Sequence, residues 1–277
     1  MEMQRLLKAA VQFNASDLHV QVGSPPTVRV DGTMVAFNAP PVTAEEVREL
    51  VHQVADESQL LRLEADRSCD FSYAIPDVAR FRVNVFHEKG NLCLVARSIP
   101  LRIKSFAELA LPAVLQDIAE EQRGLVLVTG TTGSGKSTTL AAMIDHLNHT
   151  RRLRIVTIED PIEFVHASQK SLVAQREIGR DTPSFAESLR RALRQDPDVI
   201  LVGELRDADT MRIALQAADT GHLVFSTIHT TNASFTMQRI VAMFPPDERE
   251  LLQTELATNL AAVVSQRLAT NKQKDKG

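Results

Sequence analysis

Aromatic side chains are scarce in this sequence, which has no tryptophan, one tyrosine and an aromatic fraction of 4%. Proteins that bind single-stranded nucleic acid without sequence preference stack the bases on aromatic rings, so the scarcity argues against such a surface. Basic residues are not in excess either, because the formal net charge of the 277-residue chain is −4. Without a global basic field to attract DNA or RNA, we predict no direct nucleic-acid partner.

Cysteines and long apolar runs are few as well. The two cysteines, Cys69 and Cys93, cannot form a four-thiolate zinc site, and both lie in segments that the residue pattern predicts as strands. We expect them to be buried and reduced. The longest apolar runs have the length of a strand, far short of the roughly 20 residues that span a bilayer, and the N-terminus is too polar for a signal peptide. We therefore expect a cytoplasmic protein without a transmembrane segment.

The first third of the chain predicts a smaller α+β domain. An Asp-Gly pair at 31–32 marks a tight hairpin turn between two apolar stretches. Thr43 and Glu46 have the spacing of a capping box that opens a helix. The pattern changes after three further strand-like stretches, so we place the first domain at residues 1–98 and a linker at 99–111.

Beyond residue 112, strands and helices alternate along the chain. The predicted strands are Leu125–Thr129, Arg154–Ile158, Val199–Val202 and Leu223–Thr227. The predicted helices are Ser137–Asn148, Ser184–Arg194, Asp207–Asp219 and a helical region over Glu248–Leu268. Such alternation is typical of an α/β fold in which helices cover a mostly parallel sheet. We assign residues 112–277 to this second, α/β domain.

The segment Gly130–Ser137 matches the phosphate-loop pattern G-x-x-x-x-G-K-[ST], and it lies between an apolar strand and a helix. Its glycines permit backbone angles that aim successive N–H groups at an anion, and the helix N-terminus adds partial positive charge. In such loops Lys136 reaches the β- and γ-phosphates and Ser137 ligates Mg²⁺. The predicted cofactors are ATP and Mg²⁺. The predicted binding residues are Thr132, Gly133, Ser134, Gly135, Lys136, Ser137 and Thr138.

Acidic residues follow two other predicted strands. Glu163 lies after the strand at 154–158, and Glu204 lies after the strand at 199–202, where Gly203 replaces the Asp usual in a Walker B strand. The carboxyl ends of parallel strands share one edge of the sheet, where such folds bind ligands. Glu204 is the first candidate to activate water, and Glu163 is the second. Glu204 is also the candidate to hold Mg²⁺, directly or through water.

Two histidines and three arginines leave alternatives open. His222 and His229 bracket a strand and lie at its opposite ends, so they cannot share a small metal site. His229 is the better placed to sense a γ-phosphate, while a structural role remains the alternative for both. Three arginines on the predicted strands of the first domain either form a solvated, salt-bridged face or clamp phosphate bidentately. They are Arg80, Arg82 and Arg97.

Four long strings carry a family resemblance. They are G-T-T-G-S-G-K-S-T-T-L from residue 130, I-E-D-P-I-E-F-V-H at 158–166, D-P-D-V-I-L-V-G-E-L-R-D at 196–207 and T-G-H-L-V-F-S-T-I-H-T-T-N-A at 220–233. The chain thereby resembles the secretion-ATPase superfamily, and within it the PilT-type retraction ATPases of type IV pili. The second string is that family's Asp box, and the last is its His box.

The resemblance implies a homo-hexameric motor with a PAS-like N-terminal domain, a RecA-like C-terminal domain and the nucleotide between them. It implies that Glu204 and Glu163 are catalytic together with Lys136 and His229, and that His222 and the three arginines contact the nucleotide. The implied work is pilus retraction, with twitching motility and DNA uptake. The implied partners are an inner-membrane platform protein and a second pilus ATPase, which would hold the protein peripherally at the inner membrane.

Two departures from family patterns bear on these implications. Extension ATPases have a longer N-terminal region and a four-cysteine insertion. This sequence has neither feature, which favours the retraction branch. Retraction ATPases, however, continue past Gln266-Arg267-Leu268 with helices that carry an A-I-R-N-L-I-R-E motif, and this sequence lacks them. The alternatives are therefore a related pilus-assembly or secretion ATPase, or a nucleotide-binding regulatory subunit with low turnover.

Overall fold

The computed structural model describes residues 1–76, 78–99 and 102–269. Three parts of the predicted domain plan lie outside these described residues, namely residue 77 of the first domain, residues 100–101 of the linker and residues 270–277 of the second domain.

The chain divides into two compact units, residues 1–102 and residues 103–277. This division falls inside the segment 99–111 that was predicted as a linker. Phe106 is buried in a core cluster of the second unit, and Leu111 packs against the same cluster. The later part of the predicted linker therefore folds with the second unit.

The first unit is an α+β structure with an antiparallel sheet in the order β3-β2-β1-β6-β5-β4. Its strands are β1 (Asp17–Gln21), β2 (Thr27–Val30), β3 (Thr33–Ala36), β4 (Ser68–Ile75), β5 (Ala79–Glu88) and β6 (Asn91–Ile99). Its helices are α1 (Met3–Gln12), α2 (Ala44–His52) and α3 (Glu57–Asp66). The predicted hairpin turn joins β2 to β3, and the Thr43–Glu46 capping box opens α2.

Alternation along the strands decides which side chains of this sheet are buried. Phe81 and Val83 of β5 point into a core shared with the helices, so Arg80 and Arg82 lie on the opposite face. Arg97 of β6 is paired directly with Arg82 and shares that face. Both cysteines are buried and free, as predicted.

The second unit has a sheet in the order β12-β7-β11-β10-β8-β9, in which each neighbouring pair is parallel. Its strands are β7 (Gly124–Thr129), β8 (Arg154–Glu159), β9 (Leu172–Glu177), β10 (Val199–Val202), β11 (Leu223–Ile228) and β12 (Leu260–Ser265). Its helices are α4 (Val114–Ala119), α5 (Lys136–Thr150), α6 (Phe185–Ala192), α7 (Ala208–Asp219), α8 (Ala233–Met243) and α9 (Arg249–Asn259). The prediction of an α/β fold with a parallel sheet is confirmed.

Helices cover both faces of this sheet, which explains its continuous apolar strands. Every residue of β7 is buried. Leu125 and Leu127 enter one core cluster, whereas Val126 and Val128 enter the cluster on the other face with residues of α4 and α5. The sheet is thus rigidly held, and its strand ends are fixed relative to one another.

The helical region predicted over 248–268 is wrong in its second half. α9 ends at Asn259, and residues 260–265 form β12, which adds a parallel strand to the edge of β7. A short apolar run such as L-A-A-V-V-S does not distinguish a buried helix from a strand by its period. Residues 260–265 form a strand because they pair with β7, which lies more than 130 residues earlier in the chain.

Candidate functional site

The central strands of the parallel sheet end at the same level, and this places four loops side by side. Thr129 pairs with Ile228, and Val202 pairs with both Ser226 and Ile158. The phosphate loop, the segment around His229, the turn of Glu204 and the Asp box therefore all leave the carboxyl edge of one sheet. This is the edge at which open α/β sheets bind ligands.

The phosphate loop joins β7 to α5, and three of its glycines have positive φ angles. These φ angles are 152° at Gly130, 77° at Gly133 and 88° at Gly135. Residues that carry a side chain rarely adopt this region of backbone conformation. Gly130 is also confined sterically, because a Cβ there would lie 2.5 Å from the carbonyl oxygen of Gln266. The loop conformation that the sequence predicted is therefore one that glycine alone accommodates at residue 130.

Lys136 begins α5 and turns its side chain back into the loop. Its Nζ donates to the carbonyl oxygens of Gly130 and Thr131, at 3.0 and 3.1 Å, and the residue is only 7% exposed. Burial lowers the pKa of Lys136, while the negative charges of Glu204 and Glu163 oppose that shift. A buried ammonium group held only by carbonyls has capacity for a charge-assisted bond, which a phosphate oxygen would supply.

The phosphate loop and the first turn of α5 also carry hydroxyl groups. Among the described residues, the buried Oγ of Ser134 has no hydrogen-bond partner, and leaving such a group unsatisfied costs about 1–3 kcal/mol. Ser137 and Thr138 are half-buried in the first turn of α5, whereas Thr132 is exposed. An anion in the loop would offer the Ser134 hydroxyl an acceptor.

Glu204 lies in the turn after β10, with a side chain that is 15% exposed. Arg206 forms an ion pair with its carboxylate, and this hydrogen bond raises the pKa of the Arg206 guanidinium. The turn is fixed by β11, because the Thr227 hydroxyl donates to the carbonyl of Gly203 at 2.8 Å. His229 Nε2 lies 3.6 Å from Glu204 Oε2. The predicted candidates Glu204 and His229 are thus neighbours.

The two histidines of the His box have separate environments. Burial lowers the pKa of His229, and the positive charge of Lys136 lowers it further, against the opposing effect of Glu204. His222 precedes β11, where its Nδ1 contacts the carbonyl oxygen of Ala217 at 2.9 Å. The six residues of β11 separate His222 from the carboxyl edge of the sheet, a distance of roughly 20 Å along the strand. The structure therefore does not bring His222 to the phosphate loop of its own chain, and its contact with the nucleotide stays a prediction.

Glu163 lies in the Asp box, the segment 158–166 that begins with the last two residues of β8, and it is half-buried. Its charge contributes to the field at Lys136, so it belongs to the same edge of the sheet. The Glu163 N–H donates to the carboxylate of Glu159, a half-buried residue at the end of β8. Burial raises the pKa of Glu159.

The three arginines of the first unit that were candidates for phosphate contact all have partners on their own sheet. Arg97 Nε lies 2.8 Å from Asp17 Oδ1, and Arg82 Nε lies 3.5 Å from Asp70 Oδ1. Arg80 donates to the hydroxyl of Ser72 at 2.6 Å. These contacts correspond to the salt-bridged face that the sequence left open as an alternative to phosphate clamping.

Sequence reasoning missed Gln266, which supports the phosphate loop from β12. Its backbone N–H donates to the Thr129 carbonyl at 2.8 Å, and its Oε1 accepts from the Thr139 hydroxyl at 2.8 Å. No local signal could have found it, because its partners lie 127 residues or more earlier in the chain. Reading residues 260–265 as a helix concealed the strand that delivers it.

Two features are absent from the described residues. That part of the chain contains no group of three or more His, Cys, Asp or Glu side chains arranged for a metal ion. It also contains no helix both long and apolar enough to cross a membrane. An oxygen-seeking Mg²⁺ needs no such cluster, because it is held by one or two protein ligands, water and substrate phosphates. The Ser137 hydroxyl and the Glu204 carboxylate fit that requirement.

The family model, the relatives and the solved structures that this chain resembles agree with one another. The family model described as "Type II/IV secretion system protein" matches residues 2–275. The type IV pilus retraction ATPase PilT of Pseudomonas aeruginosa is 49% identical over 97% of this chain and 78% of its own length. A crystal structure of the pilus retraction motor PilT with bound ADP superposes with a TM-score of 0.92 at 46% identity, covering 97% of this chain and 78% of that one.

A more distant structure has the same fold. The ATPase DotB of Legionella pneumophila superposes with a TM-score of 0.87 at 33% identity, covering 98% of this chain and 77% of its own. The resemblance to PilT-type ATPases that the four strings indicated is thereby confirmed. The chain belongs to the type II/IV secretion system protein family, and it is an ATPase of that family.

Proposed function

We propose that this protein is an ATP-hydrolysing motor that retracts type IV pili, and that it works as a homo-hexamer. The observation that carries the proposal is the meeting of Lys136, Glu204 and Glu163 at one edge of the sheet, in a chain 49% identical to a pilus retraction ATPase. We further propose that the first unit is a PAS-like domain and the second a RecA-like domain.

The residues at this edge suggest a division of labour. The N–H groups of the loop and the Lys136 ammonium would hold the β- and γ-phosphates. Mg²⁺, held by Ser137 and by Glu204 directly or through water, would neutralise charge that develops on the phosphates. Glu204 would orient the attacking water and accept its proton, with Glu163 as the alternative acceptor. His229, whose pKa is lowered by burial, would donate a hydrogen bond beside Glu204.

The Arg206 ion pair bears directly on this scheme. Arg206 engages the same Glu204 carboxylate that would receive the proton. An arginine in that position orients the carboxylate and also competes with water for its lone pairs. Productive geometry therefore requires that at least one Glu204 oxygen face the water rather than the guanidinium.

The three arginines and the wider setting belong to the same proposal. Arg80, Arg82 and Arg97 form a row of guanidinium groups on the open face of the first unit, suited to contact phosphate. The protein would act in the cytoplasm, peripherally at the inner membrane, where a platform protein and a second pilus ATPase are its partners. It would make no direct contact with nucleic acid, including during DNA uptake.

Steady-state ATP hydrolysis by the purified chain tests the proposal. Lys136→Ala should abolish both nucleotide binding and turnover. Glu204→Gln should retain ATP binding but lose about 100-fold or more in kcat, because it removes the proton acceptor. Exposed Gln216 on α7 supplies a matched control, as Gln216→Ala should change neither quantity.

Other outcomes would favour the alternatives. A wild-type chain that binds ATP but turns over no faster than Glu204→Gln would be the low-turnover regulatory subunit. Native mass spectrometry with ATP should give a hexamer, and a strict monomer would contradict the proposed ring. Restoring retraction, rather than extension, in cells that lack their own retraction ATPase would separate this function from that of an assembly or secretion ATPase.

A further inference from the structure

The backbone of the Asp box is held from outside by one amide side chain on β9. Gln175 Oε1 accepts from the N–H of His166 at 2.7 Å. Gln175 Nε2 donates to the carbonyl of Phe164 at 2.8 Å and to the Glu159 carboxylate at 3.2 Å. The amide thus uses its acceptor and both of its donors on a single loop.

The last of these contacts leads to Glu163. The Glu159 carboxylate is fixed by the Thr157 hydroxyl at 2.6 Å and by Gln175, and it accepts the N–H of Glu163 itself. Gln175 therefore reaches Glu163 from two sides. It acts through Glu159 on the Glu163 backbone, and through Phe164 on the next residue of the chain.

We propose that Gln175 is a positioning residue for Glu163, and that its amide holds the Asp box so that the Glu163 carboxylate is presented to the nucleotide phosphates. This inference rests on the proposed function, because it requires Glu163 to act in hydrolysis. Only an amide meets the geometry. A carboxylate at residue 175 would lose both donors and repel Glu159, and an aliphatic side chain would leave the Phe164 carbonyl and the His166 N–H without this partner.

The location of Gln175 allows its positioning role to be distinguished from a contribution to the stability of the fold. β9 is an edge strand, and its half-buried side chains contribute little to the cores. Its pairing with β8 uses backbone groups that a substitution at residue 175 leaves in place. The phosphate loop lies at the other side of the sheet, after β7, so nucleotide binding should be insensitive to this side chain.

A double-mutant cycle with the full chain tests the inference. Gln175→Leu and the isosteric Gln175→Glu should each lower kcat about 10- to 100-fold, since a displacement near 1 Å costs about that much. ADP affinity, measured by calorimetric titration, should stay within about twofold of wild type. In a Glu163→Gln background, Gln175→Leu should cause little further loss, because the residue through which it acts is already disabled. Gln216→Leu on the exposed face of α7 is the matched control, with no change in kcat expected.

Each contrary result has a separate meaning. If Glu163→Gln lowers kcat but neither Gln175 variant does, the inference fails while the proposed role of Glu163 stands. If the losses at residues 163 and 175 multiply, or if ADP affinity falls together with kcat, Gln175 acts independently of Glu163 and the inference also fails. If Glu163→Gln leaves kcat unchanged, the proposed role of Glu163 fails, and the positioning role fails with it. Should Gln175→Leu not fold, the isosteric Gln175→Glu variant carries the cycle.

Discussion

The phosphate loop and the Asp box are built in opposite ways, although each follows a strand next to an edge of the same sheet. The phosphate loop follows β7 beside β12, and the Asp box follows β8 beside β9. Each edge strand contributes one glutamine, Gln266 to the phosphate loop and Gln175 to the Asp box. The phosphate loop nevertheless owes its shape to glycine backbone angles, whereas the Asp box is held by hydrogen bonds from the side chains of Gln175 and Glu177.

This difference gives the two segments opposite chemical vulnerabilities. The phosphate loop presents N–H groups and one ammonium, Lys136, to an incoming anion. The Asp box instead lies against the half-buried Glu159, the buried Glu177 carboxylate and the buried ring of its own His166. Steric substitutions should therefore damage the phosphate loop most, while changes of pH should act mainly on the Asp box.

Substitution of Gly130 should have the largest effect on the phosphate loop. In Gly130→Ala the new methyl group would collide with the carbonyl oxygen of Gln266 and with Ser134, at a φ of 152°. We expect ADP affinity to fall at least 100-fold in calorimetric titration, because the N–H groups can no longer converge on the phosphates. Gly133→Ala is the control, since a Cβ there meets nothing within 4 Å and only backbone strain is added. Equal losses in the two variants would mean that close packing against Gln266 does not shape the loop.

The same contrast explains what could be predicted from the sequence. The phosphate loop was identified because glycine, lysine and serine at fixed spacing are a local requirement of the anion site. Glu163 and Glu204 followed from strand ends, and the parallel sheet followed from the alternation of elements. Gln266 could not be found, because it arrives on a strand whose identity depends on pairing with distant β7. Gln175 was missed because two of its three partners are backbone groups of a segment that folds back onto β9, which no side-chain pattern records.

The pH dependence of the free energy of unfolding should reveal the contribution of the Asp box residue His166. Burial lowers the pKa of His166 to about 4, so the folded protein leaves it neutral while the unfolded chain protonates it near pH 6.5. Between these values the unfolded state binds more protons, and the free energy of unfolding falls as the pH falls. This residue alone should make that free energy about 1.5 kcal/mol lower at pH 5 than at pH 6.5.

Urea denaturation of wild type and His166→Gln at both pH values measures this contribution. Glutamine does not titrate, and the backbone N–H at residue 166 can still donate to Gln175. The difference between the two proteins isolates His166 from Glu159, whose raised pKa gives the opposite dependence above pH 4.5. An identical pH slope in the two proteins would contradict the buried, neutral state of His166.

Truncation of Gln266 should have a moderate effect that sharpens the contrast between the two glutamines. Gln266→Ala removes the bond from Thr139 but keeps the backbone bond to Thr129. We expect about tenfold weaker ADP binding, equivalent to about 1.4 kcal/mol, with kcat at saturating ATP nearly unchanged. Thr139→Val should give a similar loss, and the double variant should lose little more. A loss in kcat rather than in affinity would show that β12 supports the chemical step, as we infer for β9.

The smallest effect should come from the opposite edge of the sheet. His222 lies before β11 and contacts the Ala217 carbonyl, roughly 20 Å of strand away from the carboxyl edge. His222→Ala should therefore leave the ADP affinity of the purified chain unchanged. His229→Ala is the matched comparison, because it removes a ring 3.6 Å from Glu204 and should reduce kcat. If His222→Ala weakened ADP binding as much as Gln266→Ala, the amino edge of the sheet would contribute to a nucleotide site. Within one chain these strands keep the two edges apart, so such a contribution would have to come from a neighbouring subunit.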